Sequence, residues 1–569
     1  MSPRNAAART GELSHRQIMT ILSGLMLGMF LASLDQMIVA TAIRTIGDDL
    51  KGLSIQAWVT TGFLITSTIA TPLYGKLSDL YGRKPLFMFA ITTFIIGSAL
   101  CGLSTSMYML AAFRALQGIG AGGLISMALA IMGDIIPPRE RARYQGYMMA
   151  VFATSSVLGP VVGGFFAGQS SIFGITGWRW IFYVNVPIGI VALAVVSRVL
   201  RVEHHRRDHR IDWWGATALI AGLVPLLIIA EQGRVWGWTS AGAFACYIIG
   251  VLGIAAFIRV EHVMGDEALL PLRLFRSGVF ATASTQSFIL GIGMFGAMAS
   301  IPLYLQIAKG ASPTKAGLLV LPMVFGMMVA AMSSGRITSK TGHYRKFPIA
   351  GSTLLVIALL LFSRVGADTP LWQIDIYMAL VGAGIGLCMQ TLLLAMQNAV
   401  PPQDMGVSTA AATFFRQVGG TLGTAVFLSI LFSSAGSHIK HDYTAAQRTP
   451  AFQAAAQANP QDAATLQHGL GGGAGLNDTS FLHHIDKTLA HPFLTGFSSA
   501  MDLVFLVGAL AMVFAVGFSL RLKEVPLRLE SGLQAQRSAE AADASGTPDA
   551  GGATHDSDSS VVPVGPPTR

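Results

Sequence analysis

A single aspartate, Asp35, stands in the apolar run MFLASLDQMIVATAI, Met29 to Ile43. If such a run crosses a bilayer, an unpartnered carboxylate in it costs at least a few kcal/mol. The chemistry open to it is proton exchange or the holding of a cation. Two arginines, Arg114 and Arg416, lie inside other apolar runs. A helical rise of about 1.5 Å per residue puts Asp35 roughly 12 Å from the outer end of its run, and Arg114 roughly 9 Å from the outer end of its own. Antiparallel helices would bring the two to like depth, as an ion pair or around a shared wet cavity. Either would offset much of the burial cost. A structural salt bridge and a proton site are both consistent with that spacing, because burial favours the neutral carboxyl and a nearby arginine the charged one.

Other chemistries lack their residues. No GxxxxGK[ST] loop for a nucleotide occurs, and no nucleophile–base arrangement or metal-ligand spacing stands out. The three cysteines, Cys101, Cys246 and Cys388, are far apart within apolar runs and read as small hydrophobes. An enzyme is not expected, nor a metal or any other cofactor. Gln36, Gln117, Asn185, Gln286, Gln306, Gln390 and Gln397 add polar groups to apolar runs, for cavity lining or helix-to-helix hydrogen bonds.

The elements that must position these residues follow from composition. The chain has 569 residues, 52 % hydrophobic and 12 % charged, about half the charged share of soluble domains. Runs long enough to span a bilayer occur near 18–43, 56–76, 86–104, 108–133, 142–167, 181–200, 213–232, 240–258, 279–307, 315–335, 347–365, 373–397, 408–434 and 496–520. An all-α polytopic membrane protein with 14 spans is therefore expected, its termini on one side. Of the 38 Lys/Arg residues, 26 fall in the tails and on the N-terminal side and 10 on the other, which assigns the termini to the cytoplasm. The net charge of +9 thus orients the protein in its bilayer, the plasma (inner) membrane, and nucleic acid is not expected as a partner.

An internal echo divides the chain. GKLSDLYGRK, Gly75 to Lys84, follows the second span, and GRITSKTGHYRK, Gly335 to Lys346, follows the tenth. Both carry a glycine, a second glycine seven residues on, and a basic pair, as a duplicated bundle would. The expected layout is a tail 1–17, a six-helix bundle 18–200, two linker spans in 201–260, and a second six-helix bundle 261–520. An outward loop 436–495 interrupts the second bundle, and a tail 521–569 rich in Ser, Ala, Gly and Pro is expected to be disordered. In the fifth span, Pro160 removes a helix hydrogen bond, while Gly159, Gly163 and Gly164 allow close packing.

At these residues the chain resembles the major facilitator superfamily, and its six-plus-two-plus-six layout resembles the fourteen-helix drug/proton antiporter branch. The resemblance is carried by LDQMIVATAI, GKLSDLYGRK, RALQGIGAGG, GDIIPPRERARYQG, LGPVVGG, WRWIFYVNVPIG, PLRLF, IPLYLQIAKGASPTKAGLLVLP and FFRQVGGTLGTA, in order along residues 18–435. It implies a major facilitator fold of two six-helix bundles with two inserted helices. It also implies that Asp35 and Arg114 couple protons to substrate. Gly75, Asp79, Gly82, Arg83 and Lys84 would form a cytoplasmic gating loop, latched through Asp134 in the outward-open state. Gly159, Pro160, Gly163 and Gly164 match the antiporter motif, with Ser155 where its first glycine usually stands. Arg416 matches an arginine of that branch, bracing a helix contact or lining the cavity with Gln36 and Gln117. The expected activity is proton-driven export of amphipathic, cationic compounds by a monomer. Export of an endogenous metabolite, lipid or siderophore is the alternative within transport, and a membrane sensor the alternative outside it.

Overall fold

The computed structural model describes residues 15–51, 56–200, 212–471, 482 and 485–528. Most of the two expected tails lies outside these residues. Helices stand at every position where a span is expected. In the first half they are α1 His15–Asp49, α2 Gln56–Tyr81, α3 Arg83–Gly102, α4 Met107–Ile135, α5 Pro138–Ala167 and α6 Asn185–Val199. The linker pair is α7 Trp213–Trp236 and α8 Ala241–Met264. The second half holds α9 Gly278–Ile307, α10 Leu321–Thr341, α11 Lys346–Phe362, α12 Leu371–Asn398, α13 Met405–Ala446 and α14 Lys487–Arg521.

Twelve of the described helices are long and apolar enough to cross a membrane, consistent with the expected fourteen once α2 and α11 are added. Both fall short for a visible reason. α11 is only 17 residues long, and α2 carries hydroxyls that bond back into the helix. Thr66 Oγ1 donates to the Gly62 carbonyl at 2.9 Å and Thr71 Oγ1 to that of Ser67 at 2.9 Å. The helices are apolar around much of their circumference, as bilayer helices are. Leu252 on α8, for example, is 64 % exposed.

The two halves repeat the same pairings. α2 packs on α4 and α1 on α5 in the first; α10 packs on α12 and α9 on α13 in the second. Small residues make the approach possible. A Cβ on Gly118 would meet the Phe63 carbonyl oxygen of α2, and one on Gly386 the Met327 carbonyl oxygen of α10. The linker helices pack on each other, and α7 leans on α2 and α13.

Within the expected outward loop 436–495, the described residues are largely helical. α13 continues to Ala446, and two short helices, Pro450–Ala458 and Pro460–Gly471, follow. Alanine- and glutamine-rich sequence favours helix without being apolar, so hydropathy did not register it. Phe452, Leu466, Ile485 and Leu489 give this region a small core of its own.

Candidate functional site

Asp35 and Arg114 touch. Arg114 Nη1 donates to Asp35 Oδ2 at 2.5 Å, and neither side chain is more than 2 % exposed. Two amides complete the carboxylate's shell: Gln117 Nε2 donates to Asp35 Oδ1 at 2.9 Å and Asn185 Nδ2 to the same oxygen at 2.7 Å. Arg114 also donates to Gln117 Oε1 at 2.8 Å. From α2, the Phe63 ring lies 4.0 Å below the guanidinium, a cation–π contact. Asn185 Nδ2 reaches Ser98 Oγ on α3 at 3.0 Å, and Ser98 Oγ donates to the Phe182 carbonyl at 2.9 Å. All six side chains belong to the first half. The cluster is a pair with neutral amides around it, which is what makes a buried charge tolerable. Two of its atoms, Arg114 Nε and Asn185 Oδ1, are enclosed without a partner. The cluster therefore keeps hydrogen-bonding capacity in reserve.

The glycines of α5 hold the next turn of α1. A Cβ on Gly159 would run into Met37, and one on Gly163 into Thr41 and the Ile38 backbone. Pro160 turns the other way, toward Gly317 of the second half. The α5 motif thus links the turn that follows Asp35 to the seam between the halves.

On the basic face a second cluster crosses that seam. Arg83 Nε meets Asp134 Oδ2 at 2.6 Å, Arg83 Nη2 meets Asp79 Oδ1 at 2.6 Å, and Arg83 Nη1 donates to Ser78 Oγ. Asp79 Oδ2 accepts from the backbone N–H of Val407 at 3.1 Å. Val407 is in the first turn of α13, where amides lack helical partners and the helix dipole favours a negative charge. Burial still dominates the carboxyl, pushing Asp79 up to about 6. Gly82, at φ 95°, makes the turn between α2 and α3 in a conformation only glycine adopts freely. A Cβ on Gly75 would collide with Ala410, and one on Gly406 with Asp79 and Arg83. Lys84 stays apart, donating to the Ser197 carbonyl at 2.6 Å.

Contacts between the halves continue inward from there. Thr71 Oγ1 lies 3.4 Å from Gln417 Oε1, about 12 Å along α2 from Asp79. Arg141, fully buried, donates to the Gln397 side chain at 2.8 Å and to the Ile136 carbonyl at 2.7 Å. Burial pushes its guanidinium down to about 9. The segment after α8 joins the same face. Arg273 pairs with Asp266 at 2.6 Å and with Asp404 at 2.9 Å, and Lys76 Nζ donates to the Asp266 carbonyl at 3.1 Å.

Of the remaining expected residues, Gln117 joins the Asp35 cluster, whereas Gln36 is half-buried outside it. Arg416 is 7 % exposed and has no hydrogen-bond or ion-pair partner among the described residues. Sequence reading missed Ser98, Phe63, the Val407 amide and the Arg273–Asp404 pair. Ser98 is one hydroxyl among many, and a backbone amide has no letter of its own.

The family model described as Major Facilitator Superfamily matches residues 25–424. The chain is 34 % identical over 509 residues to the uncharacterized MFS-type transporter Rv1877 of Mycobacterium tuberculosis, covering 89 % of this chain and 70 % of the relative. It is 33 % identical over 431 residues to the multidrug transporter protein MdtP of Bacillus subtilis, covering 76 % of this chain and 78 % of that one. Among solved structures, the MFS proton:xylose symporter XylE bound to 6-bromo-6-deoxy-D-glucose aligns with a TM-score of 0.57 at 15 % identity, over 92 % of this chain and all of that one. At that identity the likeness concerns the fold.

Proposed function

The chain belongs to the major facilitator superfamily of membrane transporters, and from that premise we propose that it is a proton-coupled exporter of amphipathic compounds, lipophilic cations among them. The observation that carries the reading is the enclosed cluster of Asp35, Arg114, Gln117 and Asn185. Protonating Asp35 removes the negative partner of Arg114 and leaves a buried cation, a loss on the order of 3–5 kcal/mol for a buried pair. Such an imbalance is large enough to drive a change of packing. Gly159 and Gly163 press on the turn after Asp35, so movement of α1 passes to α5 and through Pro160 to the second half. A proton arriving from outside and a cationic compound leaving from inside would compete for the same carboxylate, which couples the two fluxes.

In this reading the basic face is cytoplasmic and the membrane is the plasma (inner) membrane. The protein acts as a monomer without a cofactor, driven by the proton gradient. The Asp79–Arg83–Asp134 cluster on the first turn of α13 closes the cytoplasmic side while substrate is released outside. A relative 31 % identical over 429 residues bears the name efflux pump FUS6, in Gibberella fujikuroi, which favours export over uptake.

Proteoliposomes under an imposed pH gradient test the proposal with a panel of cationic, neutral and anionic dyes. Asp35→Asn is expected to remove gradient-driven transport while the protein still inserts and purifies as a single species. Full pH-dependent transport by Asp35→Asn would refute the coupling role, and uptake in place of efflux would refute the direction.

A further inference from the structure

Among the described residues four arginines are buried: Arg83, Arg114, Arg141 and Arg416. Arg83 and Arg114 meet aspartates, and Arg141 is bonded to a carbonyl and to the Gln397 side chain. Arg416 has no such partner, and no acid among the described residues lies near enough to act on it. A brace between helices needs a group to brace against, so that role does not fit. A buried cation left alone is strongly destabilising, and charges of this kind inside a membrane mark sites.

The backbone at Arg416 is fixed on two sides. Gly291 of α9 lies against the Arg416 carbonyl, where a Cβ would collide, and the next residue, Gln417, meets Thr71 across the seam. The direction of the side chain follows from helix geometry. Nearer the basic face, Gln397 Nε2 of α12 donates to Thr409 Oγ1 of α13 at 2.8 Å, beside Arg141. α12 and α13 run antiparallel there, and Gln390 and Arg416 each stand seven residues farther from that face. Seven residues are close to two turns, so both side chains return to the facing sides about 10 Å beyond the contact.

At that level the two do not bond each other. Gln390 is 4 % exposed, its Oε1 is enclosed, and its amide has no partner either. Its Nε2 and the Arg416 nitrogens are neither bonded nor fully enclosed, so these N–H groups border open space just beyond the closed seam. A guanidinium fork and an amide N–H, all donors, make a seat for an oxyanion. A carboxylate suits it, because its two oxygens match the fork and its charge supplies the missing partner.

We propose that Arg416 and Gln390 are specificity-determining residues that receive the carboxylate of an amphipathic zwitterion. The inference rests on the reading of the chain as an exporter of amphipathic compounds and narrows it. The cationic end of such a substrate competes for Asp35 in the first half, and its acidic end neutralises Arg416 in the second.

The test is equilibrium binding to the full-length protein in detergent, without a pH gradient, read as fluorescence polarisation of tetramethylrhodamine and of its methyl ester. The two dyes share one cationic ring system and differ in whether the carboxylate is free. The free acid is expected to bind about tenfold more tightly, the worth of one hydrogen bond to a charged group. Arg416→Gln should remove that preference by weakening the acid alone, and Arg416→Lys should retain part of it. Gln390→Leu should reduce it from a different helix, which keeps the subsite testable if Arg416→Gln fails to fold. Equal binding of acid and ester by the parent, or equal weakening of both in Arg416→Gln, would overturn the subsite and leave the export of amphipathic compounds standing. Binding of neither dye would overturn both.

Discussion

The two echoing loops, Gly75–Lys84 and Gly335–Lys346, keep the same shape and hold opposite kinds of partner. In both, the second glycine takes a positive φ, 95° at Gly82 and 76° at Gly342, which turns the chain between consecutive helices. The first loop then reaches across the seam, where Asp79 accepts from Val407 in the other half. The second ties itself to its own half. Tyr344 N–H donates to Glu524 Oε1 at 2.9 Å, Val525 N–H to the Tyr344 hydroxyl at 3.2 Å, and Arg345 to the Leu520 carbonyl at 2.8 Å. Only the first loop carries an acid, Asp79, where the second has Ser339. The helix ends they face differ too. α13 starts after a 3-10 turn at Pro402–Asp404 and presents the Val407 amide, whereas α5 starts directly at Pro138. The amides of Glu140 and Arg141 are already spent on the Pro137 carbonyl. Duplication kept the turn, and the charge made only one copy a joint between halves.

The sharpest way to break this comparison is Arg83→Ala beside Arg345→Ala. Removing Arg83 leaves Asp79 and Asp134 as buried carboxylates without their cation, a loss of about 3–5 kcal/mol from the closed basic face. Spin labels at the exposed Tyr81 and Pro401 should then move apart, and transport should fall with the lost closure. Arg345→Ala removes one exposed bond within a half and should leave that distance as it was. Equal movement in both variants would mean that the seam is not held by the first loop.

A smaller effect follows from the titration of Asp79. Burial raises its carboxyl to about 6 in the closed arrangement, from an ordinary value of 3.8. Opening the seam returns the group to water and toward that ordinary value. The closed arrangement then binds more protons between the two values. Its relative stabilisation is complete below the ordinary value and lost as pH rises through about 6. The same label distance should therefore shift toward closed as pH falls across that window, and Asp79→Asn should flatten the response. A shift toward open on acidification would reverse the sign and show that the pairing with Arg83, rather than burial, dominates Asp79.

How far this was legible in the sequence depended on whether a side chain or the backbone supplied the contact. Helical rise alone placed Asp35 and Arg114 at like depth, and they meet. Twelve of the fourteen expected spans were legible as long apolar helices, because apolar length is what a bilayer demands. Asp79, Arg83 and Asp134 were legible through family resemblance, since nothing in their spacing brings α4 to α3. The Val407 amide was not, because it acts through the helix end and any residue but proline would supply it. Arg273 and Asp404 are 131 residues apart, and a pair at that separation depends on where the linker helices pack. The helices within 436–471 were hidden for a different reason: they are polar, and the scan for spans read only apolarity.

The smallest expected effect comes from restoring the missing charge. Ser339→Asp gives the second loop the acid that distinguishes the first. If the acid alone made the joint, α10 would latch onto α5, and the halves would gain a second closure at the basic face. The helix end argues against it. α5 begins with a proline that has no N–H, and the amides of Glu140, at the position corresponding to Val407, and Arg141 are occupied, so an aspartate there finds no donor like Val407. The substitution sits in the partly exposed last helical turn of α10, where changes usually stay within about 0.5 kcal/mol. Transport rate and label distance should accordingly stay within about twofold of the parent. A larger closure in Ser339→Asp would show that the acid is sufficient and that the free amide of α13 is incidental.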